Sequence, residues 1–251
     1  MRPYETMPAF HPKAIGAKFR AMVPALAIAS TAIAALASSA AIAADAQHPT
    51  VVELYQSQGC SSCPPAIHNI NLIAGRPDIL ALTFAVTYWD QLGWKDTFAK
   101  PEFTERERDY ARQGQGQVAT PQTIVNGRAA ANGGNGAELL AAIRRADRGT
   151  SGPVIVANAG TASIGRGTTA RPATIWLVRY DARTLDVPIR AGENGGTTIA
   201  HRNVVRSLTA IGTWNGAPMD VAIRPSNDTN LRSAILVQSG KGGPILAASR
   251  I

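Results

Sequence analysis

Val51-Val52-Glu53-Leu54-Tyr55-Gln56-Ser57-Gln58-Gly59-Cys60-Ser61-Ser62-Cys63-Pro64-Pro65 holds both cysteines of the chain. The stretch reads as strand, tight turn and helix start. Residues 51–55 are a short apolar run with β-branched members, Gly59 permits a sharp turn, and Pro64 and Pro65 suit a first helical turn that needs no N–H donors. Cys60 then falls at a helix N-terminus. Two intervening residues keep the cysteines one helical turn apart, within reach of a disulfide. Unpaired backbone N–H groups and the helix dipole favour a thiolate at Cys60, below the free pKa of about 8.5, so Cys60 is the expected attacking sulfur and Cys63 the resolving one. A static disulfide that staples the loop is the alternative. A zinc pair is a weaker one, since a structural zinc wants four ligands and no further cysteine exists.

Working outward, the first residues read as an export leader. Arg2, Lys13, Lys18 and Arg20 form a basic n-region, residues 22–37 an uncharged Ala-rich h-region, and Ala41-Ile42-Ala43 a small-residue cleavage site. Residues 1–43 are therefore expected to be a signal peptide, with cleavage after Ala46 as an alternative and a start at Met7 or later also compatible. An uncleaved leader would make membrane contact. Its Ala and Ser content is only weakly hydrophobic. The expected localisation is periplasmic or secreted, where a dithiol needs an electron partner to stay reduced. The 251-residue chain carries a net charge of +8; without the leader's four basic and one acidic side chains, 21 basic face 16 acidic ones, or +5. Those charges are scattered and lack aromatic interleaving, so no nucleic-acid partner is expected.

After Pro65, the spacing of Ile67, Ile70 and Ile73 predicts a helix over 66–74, stopped by Gly75 and Pro77. Residues 78–86 are nearly all apolar, as in a strand buried on both faces. An aromatic loop follows, with Trp89 and Trp94, then an amphipathic helix over about 101–113. Asn126-Gly127 between apolar runs predicts a hairpin of 122–125 with 128–131, and 138–147 a closing helix. From about residue 149 the chain turns to short β-branched runs at 154–157, 174–180, 187–190, 197–208, 217–223, 233–238 and 244–248, a spacing that suggests a β-sandwich or barrel-like module. The polar, glycine-rich loop 190–196 reads as a tight turn by composition, with a binding loop as the alternative. The chain is thus expected to comprise a domain over 47–148 and a β-module over 149–251.

Strand, helix, strand, helix, strand, hairpin strand, helix is the order of the thioredoxin core. A CxxC at the first helix and Thr120-Pro121 before the hairpin strand resemble that fold, giving an expected α/β, thioredoxin-like domain followed by an all-β sandwich-like module. The resemblance implies a cis Pro121 that lies against the dithiol and shapes a substrate groove, and a Thr120 that offers its backbone to an extended substrate. The fuller pattern, VVELYQSQGCSSCPPA, YWDQLGWKDTFA, RERDYARQ, TPQTIVNGR, RAGENGGTTIAHRNVV and AILVQSGKGGPILAA, is similar to an uncharacterised exported bacterial family, the domain of unknown function numbered 1223. Ala85, Thr87 and Ile67 depart from that family's pattern, which has polar groups there. Thioredoxins also use a buried carboxylate to relay protons to the resolving cysteine. Glu53 resembles it, one residue farther from the dithiol; the other reading is a solvent-facing or salt-bridged residue.

These readings converge on an exported thiol–disulfide oxidoreductase that acts on protein thiols or disulfides, with Cys60 and Cys63 as the chemistry and Pro121, Thr120 and Glu53 around them. A dithiol that holds soft Cu(I), and a binding protein with a structural bridge, are the alternatives. His68 and His201 are isolated, so no further metal site and no cofactor are called for.

Overall fold

The computed structural model describes residues 43–251 apart from Ala159. The leader expected over 1–43 lies, but for Ala43, outside the described residues. The described residues belong to one compact unit. Its first part runs β1 (Thr50–Gln56), α1 (Pro64–Ile73), β2 (Ile79–Ala85), α2 (Pro101–Arg112), β3 (Gln122–Val125), β4 (Ala129–Ala131) and α3 (Gly136–Arg145). The rest contributes β5 (Ile155–Asn158), β6 (Thr161–Ile164), β7 (Ala173–Asp181), β8 (Leu185–Pro188), β9 (Thr198–His201), β10 (Val204–Trp214), β11 (Met219–Ala222), β12 (Leu231–Ser239) and β13 (Ile245–Arg250).

Local chemistry explains the early elements. Pro64 and Pro65 open α1, which buries Ala66, Ile67, Ile70 and Ile73. In α3 the side chain of Asn135 accepts from the N–H groups of Ala137 and Glu138, a capped start. β1 and β2 pair in parallel and are buried along their whole length, as expected of strands covered on both faces. Asn126 and Gly127 take φ of 48° and 60°, which suits the tight turn joining β3 to β4.

The expected α/β architecture is not what the chain builds. Among the described residues three short helices accompany a predominantly β structure, whose main sheet has eight strands in the order β13-β12-β7-β10-β2-β1-β3-β4. Parallel and antiparallel pairs are mixed in it, and four of its strands come from the second half. The latter is therefore no separate sandwich: its strands extend the sheet begun by the first half. The junction is Val204 of β10 beside Thr83 of β2. Thr83 donates from its N–H to Asn203 O and from its hydroxyl to Arg202 O, and Asn203 Nδ2 donates to Ala81 O at 2.8 Å. Asn203 takes a φ of 50°, which breaks the single strand predicted over 197–208 into β9 and β10.

Two cores flank the first four strands. On one face α1 and α3 pack with Val52, Leu54, Cys60, Cys63, Ile189 and Ile199, so the β8–β9 hairpin joins the side that carries the sulfurs. On the other, Val51, Tyr55 and Leu82 pack with Phe103 and Tyr110 of α2 and with Val178, Val205, Leu236 and Ile245. Ile245 N–H donates to Asn126 O, which brings β13 back against the β3–β4 turn. β5, β6 and β11 form a small outer sheet; β6 escapes sequence reading because Thr161–Ile164 has no apolar run.

Candidate functional site

β1 delivers the chain to the cysteine turn. Cys60 N–H donates to Ser57 O, and Cys63 N–H to Cys60 O at 3.1 Å. The helix proper starts at Pro64 with Cys63 as N-cap, so Cys60 lies a turn ahead of it and not on its first residue, as the sequence suggests. Both thiols are free and fully buried. The Cys60 sulfur lies 3.3 Å from the Ser62 hydroxyl and donates to Thr120 O at 3.7 Å. Thr120–Pro121 is a cis peptide bond, so the sequence-selected Thr120 and Pro121 do meet the dithiol.

The sulfurs are unequal. The Cys63 thiol donates to the Cys60 sulfur, and with lesser help from Ser62 and Thr120, against the cost of burial, it lowers Cys60 to about 6. Burial first, then that same hydrogen bond and the Cys60 charge, raise Cys63 far above the ordinary thiol range. A thiolate is thus favoured at one sulfur and opposed at the other.

The second half roofs this turn. Asn194, itself buried, donates from Nδ2 to Gln58 O at 2.8 Å and to Cys60 O at 2.9 Å. Ser61 N–H donates to Glu193 Oε2 at 2.9 Å. Gly192 has a φ of +74°, and a Cβ there would lie 3.1 Å from Trp94 Cβ, so the loop can approach the tryptophan closely only with glycine at that position. Trp89 and Trp94 pack against the core that contains the sulfurs, and Trp94 Nε1 donates to Gln58 Oε1. From below, buried Asp96 accepts from Gln58 N and Phe98 N, and burial raises it to about 6. Sequence reading missed Asn194 and Asp96. A turn-forming composition says nothing of which distant carbonyl the loop will cover, and the one available signal was the run of glycines.

Glu53 falls on the opposite side. Val51, Glu53 and Tyr55 alternate away from Val52 and Leu54, which share the core of the cysteines. Arg106 Nε donates to Glu53 Oε1 at 2.9 Å, and the Tyr110 hydroxyl donates to Oε2. Of its two readings, the salt-bridged one describes this geometry, and no contact joins Glu53 to the sulfurs. A different carboxylate does reach the rim of the site: Glu107 of α2, whose Oε1 accepts from the Tyr88 hydroxyl at 3.3 Å and from Ala119 N at 3.2 Å. His68 is exposed on α1. His201 is fully buried, and burial lowers it to about 4. Among the described residues no three His, Cys, Asp or Glu side chains gather as a metal site.

A family model described as a protein of unknown function, DUF1223, matches residues 51–238, which take in the dithiol turn, the Thr120–Pro121 bond and the roof loop. The chain belongs to that family. An Agrobacterium tumefaciens protein known from an X-ray crystal structure is 30% identical and superposes with a TM-score of 0.67, over 83% of this chain and 94% of its own. The predominantly β architecture is thus shared with a solved structure. HBP35 of Porphyromonas gingivalis is 10% identical with a TM-score of 0.53, over 82% of this chain and 75% of that one, a likeness of fold alone. No curated protein matches the sequence.

Proposed function

We propose that this DUF1223 member performs thiol–disulfide exchange with Cys60 as nucleophile and Cys63 as resolving thiol. The observation that carries the reading is the inequality of the two sulfurs. Cys60 is lowered to about 6 by the Cys63 thiol, Ser62 and Thr120, while Cys63 is held protonated by burial. A structural bridge requires no such difference. In the reducing direction Cys60 thiolate attacks a substrate disulfide, forms a mixed disulfide and expels one substrate thiolate. Cys63, deprotonated, then attacks the Cys60 sulfur, closes the Cys60–Cys63 bond and expels the second. Two electrons pass from the dithiol to the substrate, and the reverse sequence oxidises a substrate dithiol. The cis Pro121 and the Thr120 carbonyl, beside Cys60, form the surface along which a protein substrate would lie. The leader composition of residues 1–43 supports work outside the cytoplasm, with an electron-transfer partner to restore the dithiol.

The test is the equilibrium of the reduced full chain with a glutathione redox buffer. A potential above about −300 mV is expected, whereas a value below it would mark a structural bridge and overturn the reading.

A further inference from the structure

One end of the main sheet gathers arginines that lie far apart in sequence. Arg232 of β12 is the register partner of Tyr180 on β7, and Arg250 of β13 is the partner of Ala234 on β12. Side chains two residues apart on a strand share a face. Tyr180, Arg232 and Arg250 therefore stand on the face whose core holds Ala234 and Ala248. That apolar core runs out here, and guanidiniums take over. Arg202, between β9 and β10, comes in from the seam beside Asn203. Together with Ala74, at the end of α1, these residues line an open cavity of about 370 Å³.

Two of the three arginines are anchored to the backbone of the first half. Arg250 donates from Nη1 to Pro77 O at 2.8 Å, and from Nη2 to Arg76 O at 3.2 Å and to Ile79 O. Arg202 donates from its N–H to Asn71 Oδ1 at 3.1 Å and from Nη1 to Asn71 O at 3.4 Å, while its Nε is buried without a partner. Arg232 is exposed. Their charge is not neutralised. No Asp or Glu lines the cavity, and none of the three arginines forms an ion pair among the described residues. The carboxylates nearby are taken, Asp78 by Arg76 and Asp181 by Arg183, each at 2.6 Å. Like charges held on neighbouring strands repel, and packing alone gives no reason to gather them.

We propose that this cavity binds a small organic phosphate, with the phosphate among Arg202, Arg232 and Arg250 and the organic body along Tyr180 and Ala74. Guanidinium forks match phosphate oxygens in pairs. Three cations without a carboxylate also suit a phosphate, which carries a charge of about −2 at neutral pH, better than a carboxylate of single charge. The volume falls within the range of small-ligand sites, about 300–1,000 Å³, and leaves room for more than a bare phosphate. Because the cavity walls come from both halves of the chain, a bound ligand would clamp the seam and stabilise the fold. The cavity shares no residue with the dithiol turn or its roof, so the site stands apart from the exchange reading.

Isothermal titration calorimetry of the full chain at fixed ionic strength tests the site, with inorganic phosphate, glycerol phosphate and acetate as probes. One glycerol phosphate per chain is expected. It should bind more tightly than inorganic phosphate, at least about tenfold more tightly than acetate, and raise the unfolding temperature in a saturable way. Arg232→Gln changes an exposed side chain and should weaken glycerol phosphate by about 10- to 100-fold, the worth of one charged hydrogen bond. Arg144→Gln on α3 removes the same charge outside the cavity and should alter affinity by less than about twofold, since distant charges are screened. Acetate bound as tightly as glycerol phosphate, an unchanged affinity in Arg232→Gln, or an equal loss in Arg144→Gln overturns the site. Inorganic phosphate bound as tightly as glycerol phosphate overturns the place given to the organic body, and with it the proposal.

Discussion

Cys60 and Cys63 lie on one turn of chain, yet their surroundings push them in opposite directions, and the main cause for Cys60 is the proton that Cys63 donates. Alkylation of the reduced protein should accordingly label Cys60 with an inflection at about 6 and leave Cys63 protected. Ser62→Ala removes one donor, so it should move that inflection upward by about 0.5–1 unit, the worth of one modest hydrogen bond. An unmoved inflection would remove Ser62 from the site. Glu53 provides the contrast. Its partners Arg106, Tyr110 and, through Arg106, Gln238 are all buried, so Glu53→Gln strands a buried guanidinium and should cost about 3–5 kcal/mol in denaturant unfolding. The Cys60 titration should stay where it is. A shifted Cys60 inflection with unchanged stability would return Glu53 to the chemistry.

At the scale of elements, β1, α1, β2, α2 and the β3–β4 hairpin were legible because their signals are local: buried apolar runs, paired prolines at a helix start, and Asn126-Gly127 at a turn that needs positive φ. The break between β9 and β10 was not, because Asn203 is fixed by carbonyls of Ala74 and Ala81, more than a hundred residues earlier. The loop 190–196 was legible as a turn and illegible as a roof for the same reason. Asn194→Ala would free the carbonyls of Gln58 and Cys60 and should destabilise the fold by about 1–3 kcal/mol. It should also speed alkylation of Cys60 at saturating pH, since Cys60 is fully buried under the loop. No acceleration would mean that access follows another path. The adjoining hairpin carries its own pH signature. His201 at the end of β9 has neither ring nitrogen partnered, and its folded pKa of about 4 lies below the ordinary 6.5. The unfolded chain binds the extra proton first, so stability is expected to fall as pH drops from about 6.5 to about 4. His201→Leu should flatten that slope in urea titrations; an unchanged slope would assign it to other groups.

The whole molecule is organised by one sheet that both halves share, and by a core in which Val51, Tyr55 and Leu82 from the first half meet Val178, Val205 and Leu236 from the second. The chain after residue 43 should therefore unfold in a single transition with equal calorimetric and van't Hoff enthalpies; two separable transitions would restore independent domains. Sequence alone ordered the first seven elements correctly but could not foretell the sheet they would join, since one residue pair, Val204 with Thr83, makes the seam. That seam also carries the second half across to the dithiol, where Asn194 and Glu193 finish a site whose sulfurs the first half supplies. The exchange reading is tested most directly by trapping partners on the full chain in its native compartment. Cys63→Ser should hold partner proteins as lasting mixed disulfides on Cys60, and Cys60→Ser should hold almost none. Equal capture by the two variants, or capture by neither, would contradict an attacking Cys60 and a resolving Cys63.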